Sequence, residues 1–280
     1  MKKRRVETKE LGLLAGLIFG KYFFKTEDLH YGYWTDDLEV NKSNFAKAQE
    51  NHSNLIISHI PEYTKTILDV GCGVGTLAAK LIRRGFSVDC VSPSPLLTER
   101  ASEILGDRSD IYECLFEEME SDKRYDLLLF SESFQYVKLP TVLQQSHRFL
   151  KEGGYLLICD FFKTDAKGKS PLGGGHRLSR FYDAISEYPF ETVKDIDITE
   201  QTASNLDLVH EMLDSVGIPI WKLIFYYLDN SRPLISKFLK WKYRKKMEKI
   251  NKKFFSGEIN AESYRKYKSY RLLLYRKKGS

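Results

Sequence analysis

The order of apolar runs in this 280-residue chain predicts a doubly wound α/β fold on a mostly parallel sheet. Three observations carry that expectation. Short β-type runs alternate with helical runs from Thr66 to Phe161. A glycine-rich turn, Gly71-Cys72-Gly73-Val74-Gly75, joins the first strand run to the first helix run. The run Leu127-Leu128-Leu129-Phe130 is apolar without interruption, as a strand covered on both faces requires.

The elements follow in order. Residues 1–60 read as helical; Asn44–Ile60 places Phe45, Ala48, His52, Leu55, Ile56, His59 and Ile60 near the helical period, and Pro61 stops it. Thr66–Val70 is the first strand, Leu77–Arg84 a helix ended by Gly85, and Ser87–Val91 the second strand. Pro95–Gly106 reads as a helix, Asp110–Leu115 as a short strand, Tyr125–Ser131 as a buried strand and Pro140–Leu150 as a helix. Gly153-Gly154 is the expected turn into the buried strand Tyr155–Phe161. Lys163–Gly175 is a polar loop suited to a lid hinge. Beyond it come a helix over His176–Pro189, a strand over Glu191–Ile198 and a helix over Asn205–Val216. An aromatic run over Trp221–Tyr227, helices over Pro233–Phe255 and Ala261–Tyr270, and a last strand at Leu272–Tyr275 complete the chain. Three domains are expected: an N-terminal helical cap over 1–60, a ligand-binding core over 61–162, and a second, helical and aromatic cap over 163–280 that also holds the last strands.

Composition bounds the function classes. At 42% hydrophobic and 29% charged residues, the chain is an ordinary globular one. Its four cysteines, Cys72, Cys90, Cys114 and Cys159, lie far apart without a CxxC pair, so they read as reduced cytosolic thiols and not as a disulfide framework or a metal site. The net charge of +6 hides an asymmetry: residues 237–280 hold 16 Lys or Arg against 3 Glu, while the remainder is acidic. A basic tail on an acidic body suggests peripheral contact with an anionic membrane or nucleic acid; a solvated helix face is the plainer alternative. Lys2-Lys3-Arg4-Arg5 precedes an apolar run over Leu11–Phe24, which is shorter than the ~20 residues a membrane span needs. Without a small-residue cleavage site after it, this run reads first as a helix capping the active site and second as a membrane-surface helix.

The glycine turn carries the chemistry. Glycine lets the chain turn tightly, reach positive φ and bare its backbone to a ligand. G-x-G-x-G lacks the third glycine of the dinucleotide fingerprint, and Asp69 precedes it. An acid there suits a cationic ligand. The strand, acid, glycines and helix together resemble motif I of the class I S-adenosylmethionine (SAM) methyltransferases. The resemblance implies a seven-stranded Rossmann-like methyltransferase fold, SAM as cofactor, and S-adenosylhomocysteine as product. It also implies that Asp69, Gly71, Cys72, Gly73 and Gly75 meet the methionine part of SAM.

Four further segments match that family less closely. Ser92, before Pro93, stands where the family usually has an acid for the ribose hydroxyls, a replacement similar to that in cyclopropane fatty acid synthases; Asp89 should face the other side of the sheet. Phe116 and Glu117 fall on the adenine loop. Ser131 leaves the fourth strand into Glu132-Ser133-Phe134-Gln135-Tyr136, where the resemblance puts Gln135 and Tyr136 beside the sulfonium and the acceptor. Leu29-His30-Tyr31-Gly32-Tyr33-Trp34 is similar to an aromatic segment of sterol and tocopherol methyltransferases, which implies cofactor contacts from Tyr31 and Trp34 and acceptor-side roles for His30 and Tyr33. Aromatic faces attract cationic centres, although the same residues could simply pack a cap on the core. His30 is the expected general base.

The expected reaction is in-line displacement of the methyl group onto a hydrophobic or amphiphilic small molecule, as the aromatic residues beyond 163 suggest. Two alternatives stand beside it: a transfer-RNA methyltransferase that uses the basic tail, and a non-catalytic SAM-binding accessory protein.

Overall fold

The structure, a computed structural model, describes residues 16–168, 170–254 and 257–279. Lys2–Arg5 and the first part of the apolar N-terminal run lie outside the described residues. Two compact units emerge. The first comprises residues 16–165, 174–202 and 268–279; the second comprises the described residues of 166–173 and 203–267.

The first unit is built on one seven-stranded sheet. Helix α1 (Phe45–Ser58) precedes β1 (Thr66–Val70), α2 (Thr76–Arg83), β2 (Ser87–Val91), α3 (Pro95–Leu105) and β3 (Ile111–Tyr112). Then come β4 (Tyr125–Ser131), α4 (Leu139–Phe149), β5 (Leu150–Lys163), α5 (Leu178–Ser186) and β6 (Phe190–Asp197), with β7 (Lys268–Lys277) closing the chain. The spatial order is β3-β2-β1-β4-β5-β7-β6. The first five strands are parallel, and β7 runs antiparallel to both β5 and β6. Leu68, Leu128, Leu156 and Leu273 have no exposed surface, because both faces of the central strands are covered. The doubly wound fold is as expected. Strand order reverses between β1 and β4, and the carboxyl ends there open a crevice for a ligand.

Several boundaries differ from expectation for local reasons. Gly153-Gly154 is not a turn before a strand. β5 already starts at Leu150, and the register against β4 shifts between Tyr125 and Leu127. Gly153, at φ 72, supplies the left-handed residue of that irregularity. The helix expected to reach Tyr270 ends at Tyr267, since Lys268, Ser269 and Tyr270 pair with β5. Only Ile111 and Tyr112 pair within the expected third strand.

The second unit is helical. It holds α7 (Asn205–Met212), a π-helical turn over Leu213–Gly217, α8 (Ile218–Ser231), α9 (Pro233–Phe254) and α10 (Ala261–Tyr267), with the short α6 (Thr199–Ala203) leading in. The aromatic run Trp221–Tyr227 is thus part of α8. No described helix is long and apolar enough to cross a membrane.

Candidate active site

A cavity of about 840 Å³ lies at the carboxyl ends of β1, β2 and β4. Asp69, Val70, Gly71, Cys72, Gly73 and Thr76 form its floor. The turn is tied to the next strand: the Gly71 N–H donates to the Val91 carbonyl at 2.8 Å. Gly71 lies at φ 79 and Gly73 at φ 59, a region L side chains rarely adopt. A Cβ on Gly71 would also fall 2.4 Å from the Ser133 Cβ. Ser133 is fixed there because its hydroxyl donates to the Val70 carbonyl.

Asp69 is the electrostatic centre of this floor. It is buried, and its Oδ2 finds no hydrogen-bond partner among the described residues. Burial pushes its carboxyl up to about 7. A buried, unpaired carboxylate oxygen beside a ligand cavity is a receptor for a cation.

The ends of β2 and β3 form another wall. Ser92 and Pro93 line it, as do Phe116 and Glu117. Phe116 packs edge-on against Phe130, with centroids 5.5 Å apart, so its position is set by the core. Glu113 also lines the cavity, and the Thr98 hydroxyl donates to it at 2.8 Å. It had no place among the expected residues; its signal was an acid one residue past β3. Asp89 does face away, accepting from Lys123 and Tyr125 at 2.8 Å each.

Ser131, Glu132, Ser133 and Tyr136 close the cavity on the β4 side. Glu132 is the residue that the sequence reading passed over. Its backbone is left-handed, at φ 55, which only Lys25 shares among described non-glycine residues. Such strain persists where the surroundings enforce it. The enforcement is visible: Oε1 accepts from the Tyr31 N–H at 2.6 Å and from the Tyr270 hydroxyl at 2.9 Å. The Tyr270 oxygen in turn lies 2.9 Å from His52 Nε2. Burial pushes Glu132 up to about 8, helped by the nearby Asp160 charge and opposed by the hydrogen bonds from Tyr31 and Tyr270.

His30 lines the cavity, but both ring nitrogens are engaged. The Tyr31 carbonyl, 2.9 Å away, can only accept, so Nδ1 carries the proton. Nε2 then accepts from the Ser53 hydroxyl at 3.3 Å, and that hydroxyl accepts from Lys80 at 2.9 Å. The ring stacks on His52 at 4.5 Å, and burial pushes its pKa down, against the opposing charge of Asp28. His30 thus borders the cavity with both ring nitrogens already bonded.

Five other expected residues lie off the cavity wall. Gly75 is a packing glycine: a Cβ there would meet Ala101 and Leu105 of α3 at 3.2 and 3.1 Å. Trp34 is buried beside Phe45, its N–H donating to the Gln201 carbonyl, so it packs a cap on the core. Tyr33 is anchored through its N–H to the Ala48 carbonyl at 2.8 Å. Tyr31 reaches the site through its backbone, while its ring lies 6.3 Å from those of Phe161 and Tyr270. Gln135 holds Asp160 through its backbone N–H and its side-chain amide, both at 3.1 Å. Its carbonyl accepts from the Gly175 N–H at 3.2 Å. It braces the loop behind the cavity.

Comparison with known proteins agrees with this geometry. Residues 44–259 match the family described as "Methyltransferase domain". A malonyl-acyl-carrier protein O-methyltransferase of Anoxybacillus flavithermus is 30% identical over 122 residues, which is 42% of this chain and 47% of that protein. The chain thus spans about half the length of that relative. A ubiquinone biosynthesis O-methyltransferase of Rickettsia felis is 31% identical over 195 residues, 63% of this chain and 80% of that protein. Geranyl diphosphate C-methyltransferase of Streptomyces coelicolor shares the fold, with a TM-score of 0.65 at 17% identity, covering 89% of each chain. From the acid and glycine turn, the sheet order and these matches together, the chain belongs to the class I SAM-dependent methyltransferases.

Proposed function

We propose that this chain transfers a methyl group from SAM to a hydrophobic or amphiphilic small molecule by in-line displacement. One observation carries the reading: the unpaired, buried Asp69 oxygen sits in a glycine-lined cavity large enough for a nucleoside cation. The residues present fit SAM. Asp69 would hold its α-ammonium group, and Gly71, Cys72 and Gly73 would lie along its methionine part. Ser92, Pro93 and Glu113 would meet the ribose, with the Glu113 carboxylate making up for the acid that Ser92 replaces. Phe116 and Glu117 would border adenine, and Ser131 the sulfur end. When bound, SAM supplies a methyl carbon on a sulfonium leaving group, so alignment of the acceptor provides much of the rate.

On the acceptor side we assign the base to Glu132. It lines the cavity, its Oε1 is held by Tyr31 and Tyr270, and its raised pKa suits proton transfer near neutrality. An oxygen or acidic carbon acceptor would lose its proton to this carboxylate. Tyr136 and Val137 line the cavity as well and would shield that transfer from water. His30, stacked and doubly bonded, would orient the Tyr31 segment. The acceptor class draws support from the names of two relatives, a malonyl-acyl-carrier protein O-methyltransferase and a ubiquinone biosynthesis O-methyltransferase.

The test is radiolabelled methyl transfer from SAM into two acceptor pools, a hydrophobic extract and a set of soluble amino acids. Label confined to the hydrophobic pool supports the proposal. Label confined to the amino acids refutes the acceptor class, and failure to bind SAM refutes the reading as a whole.

A further inference from the structure

In the second unit, helix α9 (Pro233–Phe254) turns its apolar stripe outward. A surface helix of a globular protein ordinarily does the reverse. Polar ties hold it to α8: Ser236, 1% exposed, donates to Asp229 at 2.5 Å, and Lys240 pairs with the same carboxylate at 2.7 Å, with Leu239 and Met247 half-buried. Leu234, Phe238 and Trp241, spaced by four and three residues, share the opposite side. Leu234 is 82% exposed and Trp241 77%. Ile235 stands exposed beside them.

The charges around the stripe identify what would cover it. Residues 233–247 contain six Lys or Arg and no Asp or Glu. Helical spacing puts Lys237 and Lys242 on its two shoulders and Lys245 one turn further along it, and all three are exposed. Lys242 Nζ lies 5.4 Å from the Phe238 ring centroid and 5.6 Å from that of Tyr243. Ammonium groups bordering an outward stripe of Leu, Phe and Trp match a surface with an apolar interior and anionic headgroups. Tryptophan and tyrosine favour that boundary. A nucleic-acid backbone would meet the cations but leave the apolar stripe in water. A second copy of the helix would set like charges against each other. Helix α8 also exposes Ile220, Leu223, Ile224 and Tyr227, but it carries one lysine and one aspartate, so charge singles out α9.

We propose that the outward face of α9, formed by Leu234, Phe238 and Trp241 between Lys237 and Lys242, docks the protein on an anionic lipid surface. The helix lies on that surface; no described helix is suited to span it. The inference concerns the second unit and stands independently of the methyl-transfer reading.

Co-sedimentation of the full chain with phosphatidylcholine vesicles, with and without phosphatidylserine, tests it. The expected result is binding to the phosphatidylserine vesicles, with a blue shift of tryptophan emission that Trp241→Phe removes. The variant Leu234→Ser/Phe238→Ser/Trp241→Ser and the variant Lys237→Glu/Lys242→Glu/Lys245→Glu should each lower the bound ratio about tenfold or more, since apolar burial and headgroup attraction both contribute. Circular dichroism, together with retained S-adenosylhomocysteine affinity, checks that each variant folds. The proposal is overturned by absence of binding, by equal binding to both vesicle types, or by serine and glutamate variants that bind like wild type. Self-association abolished by the serine variant, without vesicle binding, would assign the stripe to a second copy and overturn it too. So would binding to transfer RNA alone. A chain that binds S-adenosylhomocysteine but no vesicle refutes this proposal and leaves the methyl-transfer reading intact.

Discussion

Gly71 and Ser133 leave no room between them for a side chain: a Cβ on Gly71 would fall 2.4 Å from the Ser133 Cβ and 3.1 Å from its Oγ. The turn after β1 is thereby pressed against the exit of β4, and the Ser133 hydroxyl holds the pair together through Val70. The cavity floor and its β4-side wall meet at this contact.

Gly71→Ala should therefore damage both stability and cofactor binding. The left-handed backbone alone costs on the order of 1–2 kcal/mol with a Cβ, before the clash is relieved. Thermal melting should show a drop of several degrees, and SAM binding should become undetectable by calorimetry. A variant with unchanged affinity would mean that the turn is not pressed against the ligand.

Asp69→Asn keeps the shape and removes the charge. Loss of a charge-assisted hydrogen bond of roughly 1.5–3 kcal/mol should weaken SAM binding about 10- to 100-fold. The wild-type affinity should also depend on pH. With the Asp69 carboxyl pushed up to about 7, the cation competes with a proton below that pH and binds fully above it. The asparagine variant should lose this dependence.

Glu132→Gln removes the assigned base while keeping an acceptor for Tyr31 and Tyr270. With an oxygen or carbon acceptor, kcat/KM should fall about 10²- to 10⁴-fold. The wild-type rate should climb with pH until Glu132 is ionised, near 8, and the variant profile should flatten. His30→Ala should instead keep the wild-type pH profile and lose stability, since its ring is engaged by Tyr31, Ser53 and His52. The reverse pattern would return the base to His30.

Stability should fall as pH rises. Burial pushes Asp69 and Asp160 up to about 7 and Glu132 up to about 8. All three are raised above their unfolded values, so the folded chain holds more protons between about pH 4 and 8. Their neutral forms suit the fold, and stability is lost as pH passes through 7 to 8. Asp126 works oppositely: burial raises it, but Lys151 and Thr66 outweigh that and hold it at about 2, so its contribution fades only in acid. Melting curves from pH 5.5 to 8.5 should show Tm dropping by roughly 5 °C or more, with saturating SAM recovering part of the loss by pairing with Asp69.

Much of the fold was legible because its signals are local. The Leu127–Phe130 run, the glycines after Asp69 and Pro61 each act on their own neighbourhood. What escaped depends on partners distant in sequence. Whether a glycine is bared to a ligand or packed on a helix is decided at Gly75 by Leu105, about thirty residues on. Trp34 has the composition of a ligand contact, but Phe45 and Gln201 make it a core residue. Glu132 was legible only as part of the segment leaving the fourth strand, with no role of its own. Only the left-handed backbone and its bonds to Tyr31 and Tyr270 distinguish it. Helix α9 was legible as a helix of the basic tail, but the direction of its apolar stripe follows from Ser236 and Lys240 gripping Asp229.

The most direct measurement is a calorimetric titration of the full chain with S-adenosylhomocysteine, run beside the Asp69→Asn and Gly71→Ala variants at matched folding. The expected result is saturable one-to-one binding by the wild type, weakened by the first substitution and abolished by the second. Wild-type protein that is folded yet takes up no heat, or binding indifferent to both substitutions, would contradict the placement of the cofactor in the Asp69 cavity.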